Sequence, residues 1–182
     1  MHRMTATTLA KRILAISAAA VLPLVATAQS QSAPAPATAT TATSNAEADS
    51  LIARYVAMKN ARDASRAADI YRDDYQERSG RSPSGIQALA DNWKQQFAAI
   101  PDVQVTVQDV VAAGNKVVAR LLYSGTHTTP FFAGIPATGR KFSFATIDIW
   151  RVEGGKFAEH WDVVDFAGLQ RQLAAPAAAK TP

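Results

Sequence analysis

Near its C-terminal end the chain gathers Asp148, Trp150, Glu159, His160, Trp161, Asp162 and Asp165 within eighteen positions. They fall in two alternating stretches joined by Glu153-Gly154-Gly155-Lys156. Carboxylates among large aromatics are costly in a dry core unless a cavity supplies water, hydrogen-bond partners or a ligand. An apolar wall also raises a carboxyl pKa, which turns the group into a proton donor or acceptor near neutrality. The chemistry to expect here is acid/base. No serine stands in a nucleophile-elbow context, and Gly154-Gly155 reads as a turn, not a phosphate loop.

If Gly154-Gly155 is a two-residue hairpin loop, Glu153 pairs with Lys156 and strict alternation assigns the faces from there. One face then carries Phe144, Thr146, Asp148, Trp150, Glu159, Trp161 and Asp165. The other carries Ala145, Ile147, Ile149, Ala158, His160, Asp162 and Val164. A slip of one residue exchanges the two. On this reading Asp165 is the leading acid/base, though it also stands where a helix N-cap is favoured, before Phe166-Ala167-Gly168-Leu169. Asp148 binds substrate or water, or partners a neighbouring carboxylate across the strands. Glu159 lies near the hairpin end, where an arginine partner is expected. His127, in register with Tyr123, Leu121 and Val117, is a second catalytic candidate or a structural histidine. Trp161, Phe144, Trp150, Tyr123 and Trp93 are expected in the pocket wall. His160 falls on the opposite face from Asp148 and Asp165, as a surface or interface residue; with the two histidines on different faces and no cysteine there is no convincing metal set. Tyr75 and Arg78 contact a ligand at the mouth or form a solvated edge.

The elements that must hold this hairpin are legible upstream. Leu51, Ile52, Tyr55, Val56 and Met58 recur at helical spacing over 46–62, with Ser44 or Asn45 as cap. A short helix is expected over 65–71, a short strand within 74–80, and a third helix over 85–99, closed by Pro101. Strands follow over 103–111, 116–128, 141–152 and 156–165, then a final helical turn or two over 166–173. Helices first and antiparallel strands after argue for an α+β fold with the helices on one face of the sheet.

Residues 1–28 read as an export signal: Arg3, Lys11 and Arg12, an apolar run from Ile13 to Val25, then Ala26-Thr27-Ala28. The run is too short to span a bilayer, which takes about 20 residues. The expected location is periplasmic or secreted, with no stable membrane insertion after cleavage. Cleavage would take the net charge from +4 to +1, so the basic balance belongs largely to the leader. No Lys/Arg cluster in the remainder suggests nucleic acid. Residues 29–46 and 174–182, rich in Ala, Thr and Pro, are expected to be disordered. Residues 47–173 form one domain, folded without disulfides.

Gly125-Thr126-His127-Thr128, Gly134-Ile135-Pro136 with Thr138-Gly139, and Asp148-Ile149-Trp150-Arg151 before Gly154-Gly155-Lys156 together resemble the SnoaL-like polyketide cyclase (ester cyclase) family, within the nuclear transport factor 2-like superfamily. Glu159-His160-Trp161-Asp162, Asp165 and Gln172-Leu173 complete the match. The resemblance implies a cone-shaped, curved antiparallel sheet wrapped by three N-terminal helices, and a homodimer through the outer sheet face. It also implies an aspartate, Asp165 by motif position, closing an aldol ring without cofactor or metal. Arg78 stands where many relatives have a histidine after a conserved-type tyrosine, Thr129 replaces a glycine, and one residue is inserted around Phe131-Phe132.

The expectation is an exported protein performing cofactor-independent cyclisation or isomerisation of a small hydrophobic carbonyl compound. A non-catalytic binder of a small hydrophobic molecule and an interaction subunit acting through Ile147 and Ile149 stay open.

Overall fold

The computed structural model describes residues 42–130 and 135–174. The expected export signal, most of the expected linker and the tail beyond Ala174 lie outside the described residues. So does the 131–134 segment, which includes the Gly134 of the motif and the expected insertion.

Helix α1 spans Asn45–Ala61 and begins where Ser44 Oγ accepts the Glu47 N–H at 3.1 Å. Its buried stripe is Leu51, Ile52, Tyr55, Met58 and, against expectation, Lys59. The next residue fixes the helix to the sheet: Asn60 Oδ1 accepts from Val105 N at 2.7 Å, and Asn60 Nδ2 donates to Val105 O at 3.1 Å. The short second helix is a 3-10 turn, Ala64–Asp69. Strand β1 follows over Tyr71–Glu77, earlier and longer than expected. Helix α2 covers Ile86–Ala99, with Leu89, Trp93 and Phe97 buried. Gly85 opens it at φ 99°, and its N–H donates to Tyr75 O at 2.8 Å, tying α2 to the end of β1.

The remaining strands are β2 (Gln104–Ala113), β3 (Lys116–Thr126), β4 (Lys141–Glu153) and β5 (Lys156–Val164), before helix α3 (Phe166–Ala174). The order across the curved, unclosed sheet is β1-β5-β4-β3-β2. β2 through β5 pair antiparallel, whereas β1 joins β5 in parallel. The α+β class and the curved sheet with helices against it stand as expected; the wholly antiparallel sheet is corrected at this one edge.

On the inner side the core is aromatic. Trp150 and Phe157 are fully buried and stacked at 4.9 Å, and Tyr71, Tyr75, Trp93 and Phe144 join them. Gly125 shows why one motif position is glycine: a Cβ there would fall 2.3 Å from Ile100 Cγ2, where β3 runs under the end of α2. Among the described residues no helix is long and apolar enough to cross a membrane.

Candidate active site

The hairpin turn forms as the sequence requires, with Gly154 at φ 60° and Gly155 at φ 71° and Glu153 opposite Lys156. Alternation then fails one step later. Val152 pairs with Phe157, but Arg151 pairs with Glu159, leaving Ala158 as an extra residue on β5. Phe157 and Ala158 are both buried, as a bulge that turns two successive residues to one side demands. Beyond it Trp150 faces His160, Ile149 faces Trp161 and Asp148 faces Asp162. The inner face therefore carries His160 and Asp162, and Glu159, Trp161 and Asp165 leave it. The sequence does hold a signal for this: the apolar pair Phe157-Ala158 followed by the polar pair Glu159-His160 breaks the alternation at this point.

A cavity of about 470 Å³ lies between this face, α1 and α2. Its polar floor is a chain of buried groups. His160 Nε2 is 3.0 Å from Asp148 Oδ1, and His160 Nδ1 is 3.0 Å from Glu77 Oε2. Thr146 Oγ1 donates to Asp148 Oδ2, while Tyr75 OH and the Ser79 N–H each donate to Glu77 at 2.8 Å. Trp150 stacks beneath the imidazole at 5.2 Å. Burial opposes a charge on His160, but hydrogen bonds to Asp148 and Glu77, with their negative charges, lift its pKa to about 9. Burial likewise favours neutral Glu77, yet His160 and the Ser79 donors hold it at about 2. At neutral pH the unit is an imidazolium gripped by two carboxylates.

Asp162 also lines the cavity, with Arg81 donating to its Oδ2. Its Oδ1 has no hydrogen-bond partner among the described residues. Across the cavity the hydroxyls of Tyr55 and Tyr123 lie 2.5 Å apart. Burial, and then charges that include those of Asp148 and Asp162, push both phenols well above the ordinary tyrosine value. They are thus neutral hydroxyls facing two carboxylates, the arrangement that holds a polarised oxygen opposite a base. Lys59 completes the wall one helical turn beyond Tyr55. Desolvation brings its pKa down to about 7, against a smaller upward pull from Asp148.

The structure brings together Asp148, Phe144, Tyr123 and Trp93 of the expected site, all of which line the cavity. Trp150 packs behind it, donating from Nε1 to Tyr71 OH at 3.3 Å. Trp161 is corrected: the bulge turns it to the outer face, under Lys116 Nζ at 4.0 Å. Asp165 is likewise placed outside the cavity. It caps α3, its Oδ1 accepting from the Gly168 N–H at 2.8 Å, so the capping alternative is the one seen. His127 is buried away from the cavity lining, with Nδ1 3.3 Å from Thr138 Oγ1 and its backbone pinning both Gly139 and Arg140. Glu159 is held by Arg78 and Arg151 at 2.9 and 3.0 Å, which accounts for Arg78.

The sequence missed Glu77, His160, Asp162, Tyr55, Lys59 and Arg81. The two histidines do stand apart, His160 at the cavity and His127 away from its lining, yet three donors converge without a second histidine. Glu77, His160 and Asp162 each bring one donor atom within 4.8 Å of the others. Here their charges are matched by Arg81 and the shared imidazolium proton.

A family described as SnoaL-like polyketide cyclase matches residues 49–173. Among solved structures, that of TsrD from Streptomyces laurentii is 34% identical, covering 72% of this chain and 98% of that one, with a TM-score of 0.68. A SnoaL-like polyketide cyclase from Agrobacterium tumefaciens shares the fold at 24% identity and a TM-score of 0.63, covering 70% of this chain and 98% of that one. The aklanonic acid methyl ester cyclase DnrD from Streptomyces peucetius is 41% identical over 58 residues, 32% of this chain. That match spans 39% of the length of the cyclase.

Proposed function

Because the chain belongs to the SnoaL-like polyketide cyclase family, we propose that its cavity carries out cofactor-independent acid/base chemistry on a small carbonyl compound, by aldol-type ring closure or isomerisation. Asp162 is the base. The observation that carries this reading is its carboxylate, held by Arg81 at one oxygen and without a hydrogen-bond partner among the described residues at the other, on the lining of the same cavity as the Tyr55–Tyr123 hydroxyl pair.

Only one of the two phenolic protons is used between the hydroxyls, so the other is available to the substrate oxygen. Asp162 removes a proton from the carbon beside that carbonyl, and the enolate charge is met by the hydroxyl pair. In ring closure the enolate carbon attacks a second carbonyl, and the resulting alkoxide takes the proton back from Asp162. In isomerisation the proton returns to another carbon. Protons balance, and no external acid or base is consumed. The Asp148–His160–Glu77 chain fixes the charge of the floor, its one imidazolium answering two carboxylates.

Export is part of the proposal, supported by the basic, apolar and small-residue order of residues 1–28. A ligand of modest size and polyketide-like character suits the cavity volume and the aromatic lining supplied by Trp93 and Phe144.

The test is exchange of the α-protons of phenylacetone in deuterated water, followed by proton NMR. Asp162→Asn is expected to slow exchange by about a hundredfold or more, the usual scale for a positioned base. Equal rates in the two proteins would sink the assignment.

A further inference from the structure

We infer that the Lys59 amine captures the substrate carbonyl as an imine, so that the cavity holds aldehydes and ketones covalently. This rests on the reading of the cavity as a carbonyl site and adds to it a nucleophile through which the α-carbon is activated.

Lysine at this place is not accounted for by the fold. Lys59 is 2% exposed and lies on the inner stripe of α1, one turn from Tyr55, a spacing that puts both on one helix face. Its Nζ sits amid four rings: 4.7 Å from the centroid of Trp93, 5.2 Å from Phe97, 5.8 Å from Tyr123 and 6.0 Å from Tyr55. Its hydrogen-bond partner is the neutral Gln96 Oε1, and no ion pair to it exists among the described residues. Packed against it, α2 presents only the uncharged Trp93, Gln96 and Phe97. The titratable groups that face it are Tyr55 on its own helix, Tyr123 from β3 and, at longer range, Asp148 from β4. A structural lysine would be given a carboxylate or an exit to water. Lys59 has neither: burial strips the water from its charge, and it lines the cavity. Desolvation of this kind activates a lysine as a nucleophile.

The step balances with groups at hand. The neutral amine attacks the carbonyl carbon, a C–N bond forms, and the carbonyl oxygen takes a proton from the Tyr55–Tyr123 pair. The carbinolamine then expels water, using one proton released from nitrogen, and leaves a C=N bond that keeps the other, an iminium whose charge is answered by the phenolate left on the pair. The iminium makes the neighbouring C–H more acidic, and Asp162 removes that proton to give an enamine in place of a free enolate.

The experiment is reductive trapping. The full chain is incubated near pH 7.5 with phenylacetone and cyanoborohydride, and lysine adducts are mapped by peptide mass spectrometry. At that pH an ordinary lysine is about one part in a thousand neutral, whereas Lys59 is largely neutral. Lower basicity costs some nucleophilicity, so labelling of Lys59 is expected to run about ten- to a hundredfold ahead of Lys94, Lys116, Lys141 and Lys156. Labelling that reaches the exposed lysines first and spares Lys59 overturns the proposal. Lys59→Met, which removes the buried amine and keeps a similar stem, is expected to abolish α-proton exchange of the same ketone. Exchange that survives in Lys59→Met also overturns the proposal, while leaving Asp162 as base. Trapping at Lys59 with exchange unaffected by Asp162→Asn has the opposite meaning: the lysine assignment holds and the carboxylate assignment fails.

Discussion

His160 Nδ1 lies 3.0 Å from Glu77 Oε2, an ion pair laid directly across the parallel pairing of β1 and β5. Both side chains are partly buried, 13% and 8% exposed, so the pairing of these strands is tied to a charge that titrates. His160 binds its proton more tightly folded, at about 9, than unfolded, at about 6.5. The stabilisation it contributes is therefore fully present below about pH 6.5 and is lost as pH rises through about 9. Glu77, held at about 2, contributes stability above about pH 4.5 that is lost as pH falls through about 2. Thermal unfolding is followed from pH 5 to 10 in the chain and in His160→Gln together, because Lys59, held at about 7, adds stability as pH rises and opposes the decline. The variant should be less stable by on the order of 3 kcal/mol at pH 6, and the gap should close between pH 6.5 and 9. A gap that stays constant across that window would place the titrating group elsewhere.

All four tyrosines of the chain are buried, and each has its pKa raised above 10, burial being the first cause. An ultraviolet titration of the native chain is expected to show no tyrosinate near pH 10. Phenolate absorbance should rise only with loss of structure, as a single cooperative step shared with far-ultraviolet circular dichroism. A gradual rise near pH 10 in the folded protein would mean that the Tyr55–Tyr123 pair is open to solvent.

Asp165 and Gly168 form one device. A Cβ on Gly168 would fall 2.0 Å from Asp165 Oδ2, so only glycine leaves room for the capping carboxylate. Asp165→Ala should cost about 1 kcal/mol in denaturant unfolding, the usual worth of an N-cap. Gly168→Ala should cost a similar amount by displacing the same carboxylate. The double variant should then be little worse than either single one, because one interaction is removed twice. Full additivity would show the two residues acting independently.

Arg81→Met leaves Asp162, whose side chain is 7% exposed, without its cation. A loss of about 1–3 kcal/mol is expected, read from the shift in urea midpoint at unchanged slope. Arg81→Lys should recover part of it, since a point charge reaches the carboxylate without the planar fork. A neutral outcome for Arg81→Met would mean that water replaces the guanidinium.

Most elements were legible because their signals are local. Trp93 and Phe97 repeat at helical spacing, and Gly154-Gly155 can only turn. The family resemblance, too, rested on short motifs that survive intact. What escaped was the face assignment of β5, because alternation was carried through Ala158, where the backbone bulges. One misjudged residue moved His160 and Asp162 out of the cavity and Asp165 into it. Glu77 escaped for a different reason: its partner is 83 positions away, and the parallel pairing that joins them has no local sequence mark. Lys59 was readable in principle, since Ile52, Tyr55 and Lys59 follow the same helical stripe. It was absent from the stripe because only apolar residues were counted there.

Ala158 is a spare rung. From Arg151–Glu159 onward every cross-strand partner stays matched if that residue is taken out, and the imidazole keeps its side of the sheet. Deleting one amino acid from the strand that bears the site is thus milder, for the order of the floor, than adding a rung to straighten it. What the deletion removes is the local bend that closes the wall around a guest. Chain length at this point sets the curvature of the vessel, and side-chain identity sets what happens inside it.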